Sequence, residues 1–207
     1  MMKYLDGEKL TPAEITSGLK AGVLSRDIVP IFAASAASNI GTTEILDSIV
    51  DLLPSPNDVE APEVPEGAQA NFVFKTSADP FVGKLSYFRV YGAPLNSNTP
   101  LWNANKGEPE RVAQVYRATG KETSGVDSVI RGDIGVLSRL SHTQTFDTLG
   151  EKSSEFKLGG VELPAPVFAL AVTPRAQSDL DKMAESLSRM AEEDPTLELE
   201  RNADTSE

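Results

Sequence analysis

Few side chains of this 207-residue chain have the chemistry needed to act alone as catalysts or ligands. The sequence has one histidine, His142, and no cysteine, which rules out disulfides and thiolate metal sites. Glu192 and Glu193 are adjacent carboxylates that could in principle act as acid and base. They fall at the predicted exposed end of a helix, with no apolar surroundings to tune them. We therefore predict no catalytic residue and no metal site in this chain, and a surface loop position for His142.

A phosphate-binding loop is also missing. No Gly-x-x-x-x-Gly-Lys-Ser/Thr run occurs, so no series of backbone amides followed by a lysine is available to hold the phosphates of a nucleotide. Phosphoryl transfer depends on such a cradle and on a magnesium ligand. By itself, the chain is predicted not to hydrolyse a nucleoside triphosphate.

The charge balance limits the partners. The formal net charge is −12, and such a surface repels free nucleic acid on average, so DNA is not a predicted partner. No run of 18 apolar residues and no secretory pattern at the N-terminus occur in the sequence, so neither a membrane nor an export route is predicted. Together with the absence of cysteine, this favours the cytoplasm.

Residues 1–53 show the pattern helix, strand, loop, helix. Thr11 to Glu14 form a capping box with a proline at the first helical position. The nearly all-apolar run 28–33 predicts a strand of a parallel sheet. A loop of small residues, 35–41, then leads into a helix that begins near Thr42 and stops at Pro54. Taken alone, this loop is equally well explained as a generic turn between a strand and a helix.

The remaining chain divides into a linker, an all-β region and an α/β tail. Four prolines and four acidic residues make 54–67 an extended linker. Between residues 68 and 149, short strands at close spacing predict a closed antiparallel barrel. The predicted strands cover 70–76, 83–91, 101–104, 111–117, 126–130 and 134–137, with Gly120 and Gly125 in a loop. The tail predicts a strand at 167–172, a helix with an apolar stripe from Leu180 to Ala191, and a strand beginning at 196–200.

One segment is far more specific than these patterns. Residues Asp79 to Gly92 read DPFVGKLSYFRVYG, a turn followed by a strand with apolar bulk on both faces. This signature segment resembles the run that opens the second domain of elongation factor G, the translational GTPase that drives translocation on the ribosome. Other family-like runs occur in the family's order: one at 53–61, before this segment, and three after it, at 131–134, 145–149 and 192–197.

The resemblance implies a fold class. It is mainly β with α/β flanks: an antiparallel translation-factor β-barrel between an incomplete C-terminal piece of a P-loop GTPase domain and half of a ferredoxin-like α+β domain. The implied parts are a GTPase-domain remnant at 1–53, the linker at 54–67, the barrel at 68–153 and the first half of the third domain at 163–207. A fragment of a longer protein is therefore expected, with unpartnered apolar strands that favour self-association.

The resemblance also implies functional residues. In the family, a Ser-Ala loop holds the guanine base mostly through backbone amides; the matching residues are Ser35, Ala36 and Ala37, followed by Asn39 and Gly41. The Asn-Lys-x-Asp guanine motif is absent. GTP or GDP with magnesium is thus expected in the parent protein, and none on this chain.

The barrel is expected to dock on the rRNA of the small ribosomal subunit and to couple the GTPase domain to the third domain in cis. The basic residues available for rRNA contacts are Lys84, Arg89, Arg111, Arg117, Lys121, Arg131 and Arg139. For any single one of them, a solvated surface charge is the simpler interpretation. The acidic balance also leaves open a protein–protein interaction module in a nucleotide-independent relative. Whether the parent translocates tRNA, splits ribosomes or protects them stays open.

Phe146 departs from the family pattern. It stands where the family has a glycine in the run TFDTL at 145–149. If that glycine has a positive φ, a phenylalanine would be strained there. We expect this turn to differ locally from the family.

Overall fold

The computed structural model of the protein describes residues 2–79, 82–120, 122–152 and 156–200. The chain divides into two compact units, Met1–Ala61 and Pro62–Glu207. Regular structure in the described part of the first unit is helical, apart from an isolated bridge between Ser35 and Ile40. The second unit is mainly β. The mainly β fold class with a few helices is thereby confirmed.

Three helices form the first unit: α1 (Met2–Leu5), α2 (Pro12–Leu24) and α3 (Thr42–Leu52). The predicted capping box of α2 is present. Glu14 N donates to Thr11 Oγ1 at 3.3 Å, and Thr11 N donates to Glu14 Oε2 at 2.9 Å. The ammonium of Lys3, 2.6 Å from the Glu14 carboxylate, and the Thr11 bonds together lower the pKa of Glu14.

The predicted strand at 28–33 is wrong. These residues are not part of a strand, and the side chains of Val29 and Ile31 are 82% and 93% exposed. A strand satisfies its backbone only by pairing with a neighbour. No neighbouring strand is present in the described part of this unit, so an apolar run alone does not produce one.

Ten strands occur in the described part of the second unit, and all their pairings are antiparallel. They are β1 (Ala70–Asp79), β2 (Gly83–Val90), β3 (Leu95–Asn96), β4 (Pro100–Asn103), β5 (Glu108–Arg111), β6 (Val115–Thr119), β7 (Glu122–Val126), β8 (Ser128–Val129), β9 (Ile134–Ser138) and β10 (Thr148–Gly150). Eight of them form one sheet in the order β5-β4-β10-β1-β2-β9-β6-β7, and β3 pairs with β8 in a separate ribbon.

The eight-stranded sheet curls around one core without a continuous ladder between its end strands, β5 and β7. Pro109 in β5 has no N–H to donate, which suits an edge strand. The residues after β3 bridge the gap. Ser97 Oγ accepts from Val115 N at 3.0 Å and donates to Val126 O at 3.1 Å. Asn98 N donates to Ala113 O at 3.2 Å. The predicted antiparallel barrel is therefore completed at this point by these bonds and not by a strand ladder.

The buried core explains why β2, the strand of the signature segment, has apolar side chains on both faces. Phe88 and Val90 of β2 are fully buried, together with Val73, Leu137 and Leu149 from neighbouring strands. Tyr87 and Arg89, which alternate with Phe88 and Val90 along β2, point to the other face and are half-buried. Alternation with a period of two therefore separates an inner face, apolar apart from the buried Ser86, from an outer, mixed one.

Two details of the barrel prediction are wrong. The single strand expected at 111–117 is two strands, β5 and β6, separated by a break at which Val112 is buried. They separate because β5 pairs with β4, whereas β6 pairs with β7 and β9. Gly125, expected in a loop, lies within β7 opposite Tyr116.

The tail contains one long helix. Helix α4 (Leu180–Glu193) follows a short 3₁₀ turn, Gln177–Asp179, and ends one residue before Asp194, as predicted. Its C-terminal end lies against the β1–β2 hairpin. Ala78 N donates to Glu193 Oε1 at 2.5 Å, and Lys84 Nζ lies 4.0 Å from Glu192 Oε1.

The strands predicted at 167–172 and 196–200 are both absent. Val167 is 99% exposed, and Phe168 and Leu170 are each 77% exposed. As at 28–33, no strand in the described part of the unit lies beside them to complete their hydrogen bonds. Of the strand, helix and strand predicted for this segment, only the helix is therefore present.

Candidate functional site

Neither a metal-binding cluster nor a membrane-spanning helix occurs among the described residues. Within residues 2–79, 82–120, 122–152 and 156–200, no group of three or more His, Asp or Glu side chains is arranged to hold a metal ion. No helix in that part of the chain is both long and apolar enough to cross a membrane. His142 is exposed in a loop, as predicted, and only its backbone N–H is used, by the Glu110 carboxylate.

The Ser35–Gly41 loop forms a tight turn ahead of α3. Ser35 and Ile40 exchange backbone bonds of 3.0 and 3.1 Å, and Asn39 and Gly41 adopt positive φ values of 52° and 76°. Thr42 Oγ1 donates to the Asn39 amide oxygen at 2.6 Å, which fixes the start of the helix.

This turn leaves the predicted guanine-loop residues accessible. Ala36 and Ala37 are exposed and Ser35 is half-buried. Within the described part of the chain, the N–H groups of Ala36 and Ala37 donate no hydrogen bond. The turn therefore presents free backbone N–H donors that could bind the polar edge of a planar base. The assignment of these residues to the guanine base stays a prediction.

The predicted basic residues do not form one patch. Lys84 lies at the start of β2, where its backbone oxygen accepts from Arg139 N at 3.0 Å. At the other end of β2, Arg89 pairs in register with Ile134. Arg111 is exposed on β5, an end strand of the sheet that β4, β10 and β1 separate from β2. Lys121 falls outside the described residues.

A basic group does form around the turn at 131–133. Arg131 begins this turn and is exposed, and Arg117 Nη2 contacts Asp133 Oδ2 at 2.6 Å. Arg89 lies beside Ile134, one residue beyond the turn. We call Arg89, Arg117 and Arg131 the basic turn cluster.

Cations paired with aromatic rings are a feature that the sequence analysis missed. Lys75 Nζ lies 5.5 Å from the centre of the Tyr87 ring, and the Arg89 guanidinium carbon lies 5.6 Å from that of Tyr91. A cation over a ring face is attracted by the ring quadrupole. The outward alternation of Tyr87, Arg89 and Tyr91 was a signal available in the sequence, and it places Arg89 next to Tyr91. The partner of Tyr87 depends on strand register.

A buried carboxylate was also missed. Glu110 is only 5% exposed and accepts from the backbone N–H groups of Ser141, His142 and Thr143 at 2.7–3.0 Å. The Thr143 hydroxyl donates to the same carboxylate at 2.7 Å. Because all four donors come from one loop, Glu110 ties the loop before β10 to the end strand β5.

The turn at Phe146 keeps the left-handed backbone that a glycine would favour. Its φ is 74°, a value at which a phenylalanine is strained, and the expected difference from the family's turn stays a prediction. Phe146 N donates to Val73 O at 2.6 Å, and its ring stacks on Phe72 with centroids 6.3 Å apart. The backbone bond and the ring contact hold the residue in a conformation that a side chain disfavours.

Comparison with known proteins gives the family. Residues 69–152 match the family model for Elongation factor G domain 2, and residues 163–207 match the model for Elongation Factor G, domain III. Together the two matches cover more than half of the chain.

The chain belongs to the elongation factor G family.

A solved structure is similar to this chain over almost its whole length. The chain is similar to a protein from Thermus thermophilus whose crystal structure superposes with a TM-score of 0.77 at 27% sequence identity. The alignment covers 99% of this elongation factor G family chain and 30% of the Thermus chain. The chain thus spans less than a third of the length of that relative.

Proposed function

We propose that this chain is part of an elongation factor G-like translational GTPase. In this proposal the barrel docks on rRNA of the small ribosomal subunit and couples the GTPase domain to the third domain. The observation that carries the proposal is the succession of the matches to domain 2 and domain III along one chain. The contact of α4 with the β1–β2 hairpin supports the coupling role, because it ties the domain III segment to the barrel.

The docking surface that we favour is the basic turn cluster. Phosphate affinity comes from clustered Lys and Arg, and a local group of cations can bind rRNA even when the whole chain is acidic. Of the predicted contacts, three adjoin the turn at 131–133: Arg89 through the strand ladder, Arg117 through its ion pair with Asp133, and Arg131 as the first residue of the turn. Lys84 lies 4.0 Å from Glu192 and Arg117 lies 2.6 Å from Asp133, so a phosphate would compete with a described carboxylate at both of these residues.

The nucleotide is assigned to the parent protein. The free amides of Ala36 and Ala37 support a role for Ser35, Ala36 and Ala37 against the guanine base. Phosphate and magnesium ligands would come from sequence outside this chain. A cytoplasmic location follows from a role in translation and is proposed on that ground alone.

Co-sedimentation with small ribosomal subunits tests the docking proposal. The full-length parent should pellet with the subunits, with an affinity that falls steeply as salt rises. Replacing Arg89, Arg117 and Arg131 by Gln should weaken binding and reduce the slope of log K against log salt by about 2–3, since each lost phosphate contact removes about 0.7–0.9. Salt-independent binding would contradict the mechanism.

A matched control separates local from global charge. Lys9, Lys20 and Arg189 are exposed cations that do not belong to the cluster, and replacing them by Gln changes the net charge equally. This control should leave the salt slope unchanged. An equal loss in both variants would show that only the total charge matters.

The second candidate is an acidic protein–protein interaction module in a nucleotide-independent relative. The net charge of −12 is the observation that favours it. A parent that does not pellet with ribosomes, and whose sequence lacks a phosphate-binding loop, would support this candidate over the first.

A further inference from the structure

The outer face of β1 and β2 carries an unusual density of rings and cations. We call its residues the aromatic–cation face: Phe72, Lys75, Tyr87, Arg89, Tyr91 and Phe146. Strand register places Phe72 directly opposite Arg89, and Lys75 directly opposite Tyr87. Directly opposite residues point to the same side of a sheet, so two adjacent strands build one continuous surface.

The rings of this face are organised rather than scattered. Phe72 and Phe146 stack with an interplanar angle of 23°, while Tyr87 and Tyr91 each lie beneath a cation. All four rings are half-buried, so they are held in place by the barrel and still reach solvent. Rigid rings lose little conformational entropy when a ligand stacks on them.

The two cations of the face lack acidic partners. In the described part of the chain, the ion pairs join Lys3 to Glu14, Lys84 to Glu192, Arg117 to Asp133 and Arg189 to Glu185. Neither Lys75 nor Arg89 has a described carboxylate oxygen within 4.0 Å. In a chain with a net charge of −12, two cations that are neutralised only by ring faces favour an anionic partner.

We propose that the aromatic–cation face binds single-stranded RNA. Bases stack on the rings, and the intervening phosphates contact Lys75 and Arg89. Every base has a π-face, so such stacking tolerates sequence variation, and arginine adds cation–π attraction to the bases. A duplex hides its base faces and offers only phosphates, so single strands or unpaired loops are preferred.

This inference rests on the proposed docking to rRNA and deepens it. The basic turn cluster explains attraction to phosphates, whereas the aromatic–cation face predicts which RNA conformation is recognised. Arg89 belongs to both, which places the unpaired bases next to the turn at 131–133.

Fluorescence anisotropy with the full chain tests the proposal. The probes are labelled oligouridylate and oligoadenylate of about 12 nucleotides, within the usual site size of such surfaces, and a duplex RNA of equal length. The double variant Phe146→Gly/Tyr91→Leu removes two rings and no charge. It should lose at least about tenfold in affinity for the single strands, because each stacked ring contributes a factor of this order.

The matched control is the cation–ring pair on β4 and after β10. Lys152 Nζ lies 4.8 Å from the centre of the Trp102 ring, and Trp102 is on β4, which β10 separates from β1. The double variant Lys152→Gln/Trp102→Leu should bind single strands within about threefold of the wild type, since it leaves the stacking face intact. Circular dichroism of each variant verifies that the barrel is folded.

Several results would overturn the inference. These are equal binding of duplex and single strands, equal losses in the two double variants, or binding of an acidic peptide but no RNA. Ribosome pelleting of the same variants in the parent separates the two proposals. If the ring variant loses single-strand binding but the parent still pellets, the face does not take part in docking and the docking proposal stands. Single-strand binding without pelleting supports the face and counts against docking.

Discussion

Phe146 shows how a single residue can be kept in a disfavoured backbone conformation. A left-handed φ costs a side-chain-bearing residue about 1–2 kcal/mol relative to the right-handed region. Here the φ of 74° is held by the bond from Phe146 N to Val73 O and by the stack on Phe72. The ring contact and the backbone strain therefore oppose one another at the same position.

Comparing two substitutions at Phe146 separates these effects. Both Phe146→Ala and Phe146→Gly lose the stack on Phe72, but only glycine adopts a φ of 74° without strain. We expect the glycine variant to be more stable than the alanine variant by about 1 kcal/mol in urea unfolding. Equal stability of the two would show that the turn relaxes away from the left-handed region.

Glu110 is the second residue whose role is read from its contacts. It is nearly fully buried and accepts four hydrogen bonds from residues 141–143. Glu110→Gln replaces one acceptor oxygen by a donor that faces N–H groups. We expect a loss of about 2–3 kcal/mol in the free energy of unfolding, because hydrogen bonds to a charged group are replaced by a buried mismatch.

The control for Glu110 lies on the same strand. Glu108 is exposed, so Glu108→Gln should change the free energy of unfolding by no more than about 0.5 kcal/mol. If the two variants unfolded at the same urea concentration, the carboxylate would not be what ties the loop to β5.

At the scale of elements, the junction after β2 depends on a close approach of backbones. Gly92 lies just beyond this strand, where its own N–H and that of Tyr91 both donate to Ala70 O. A Cβ added at Gly92 would collide with Ala68 O and come within 2.8 Å of Ala70 N. Only glycine permits this spacing, because backbone atoms of a paired strand cannot move aside as a flexible side chain does.

Gly92→Ala is therefore expected to destabilise the barrel. The loss should be at least about 2 kcal/mol, since the clash is with backbone and must open the start of β1. Thermal unfolding followed by circular dichroism measures it. Gly159→Ala is the control, since no atom lies within 4 Å of its added Cβ, and it should behave like the wild type. A wild-type melting temperature for Gly92→Ala would contradict this packing.

At the scale of the whole molecule, exposed apolar segments determine how the isolated chain behaves. Phe168 and Leu170 are each 77% exposed in a segment with strong strand propensity and no strand partner. Such segments pair with other chains. We expect concentration-dependent self-association of the isolated chain in sedimentation velocity experiments.

Polar substitution should reduce this association without affecting the barrel. In Phe168→Ser/Leu170→Ser the apparent mass should approach that of the 22.2 kDa monomer over the same concentration range. Ala169→Ser, an exposed position between them, serves as the control and should associate like the wild type. An unchanged mass in the double variant would place the contact elsewhere.

The elements that the sequence determined by itself are those whose stability is local. The capping box at Thr11–Glu14 and the apolar stripe of α4 were predicted correctly, because a helix closes its hydrogen bonds within a few residues. The two faces of the signature strand were also predicted correctly, since alternation along one strand needs no knowledge of its partner.

Tertiary structure alone decided the features that depend on distant partners. The runs at 28–33, 167–172 and 196–200 have strand-like composition and no strand, because no neighbour completes their hydrogen bonds in the described structure. The pair of Lys75 and Tyr87 across β1 and β2, and the anchoring of the 141–143 loop by Glu110, arise from register and chain reversal. Neither leaves a pattern along the sequence, since the residues that meet are separated by a dozen or more positions.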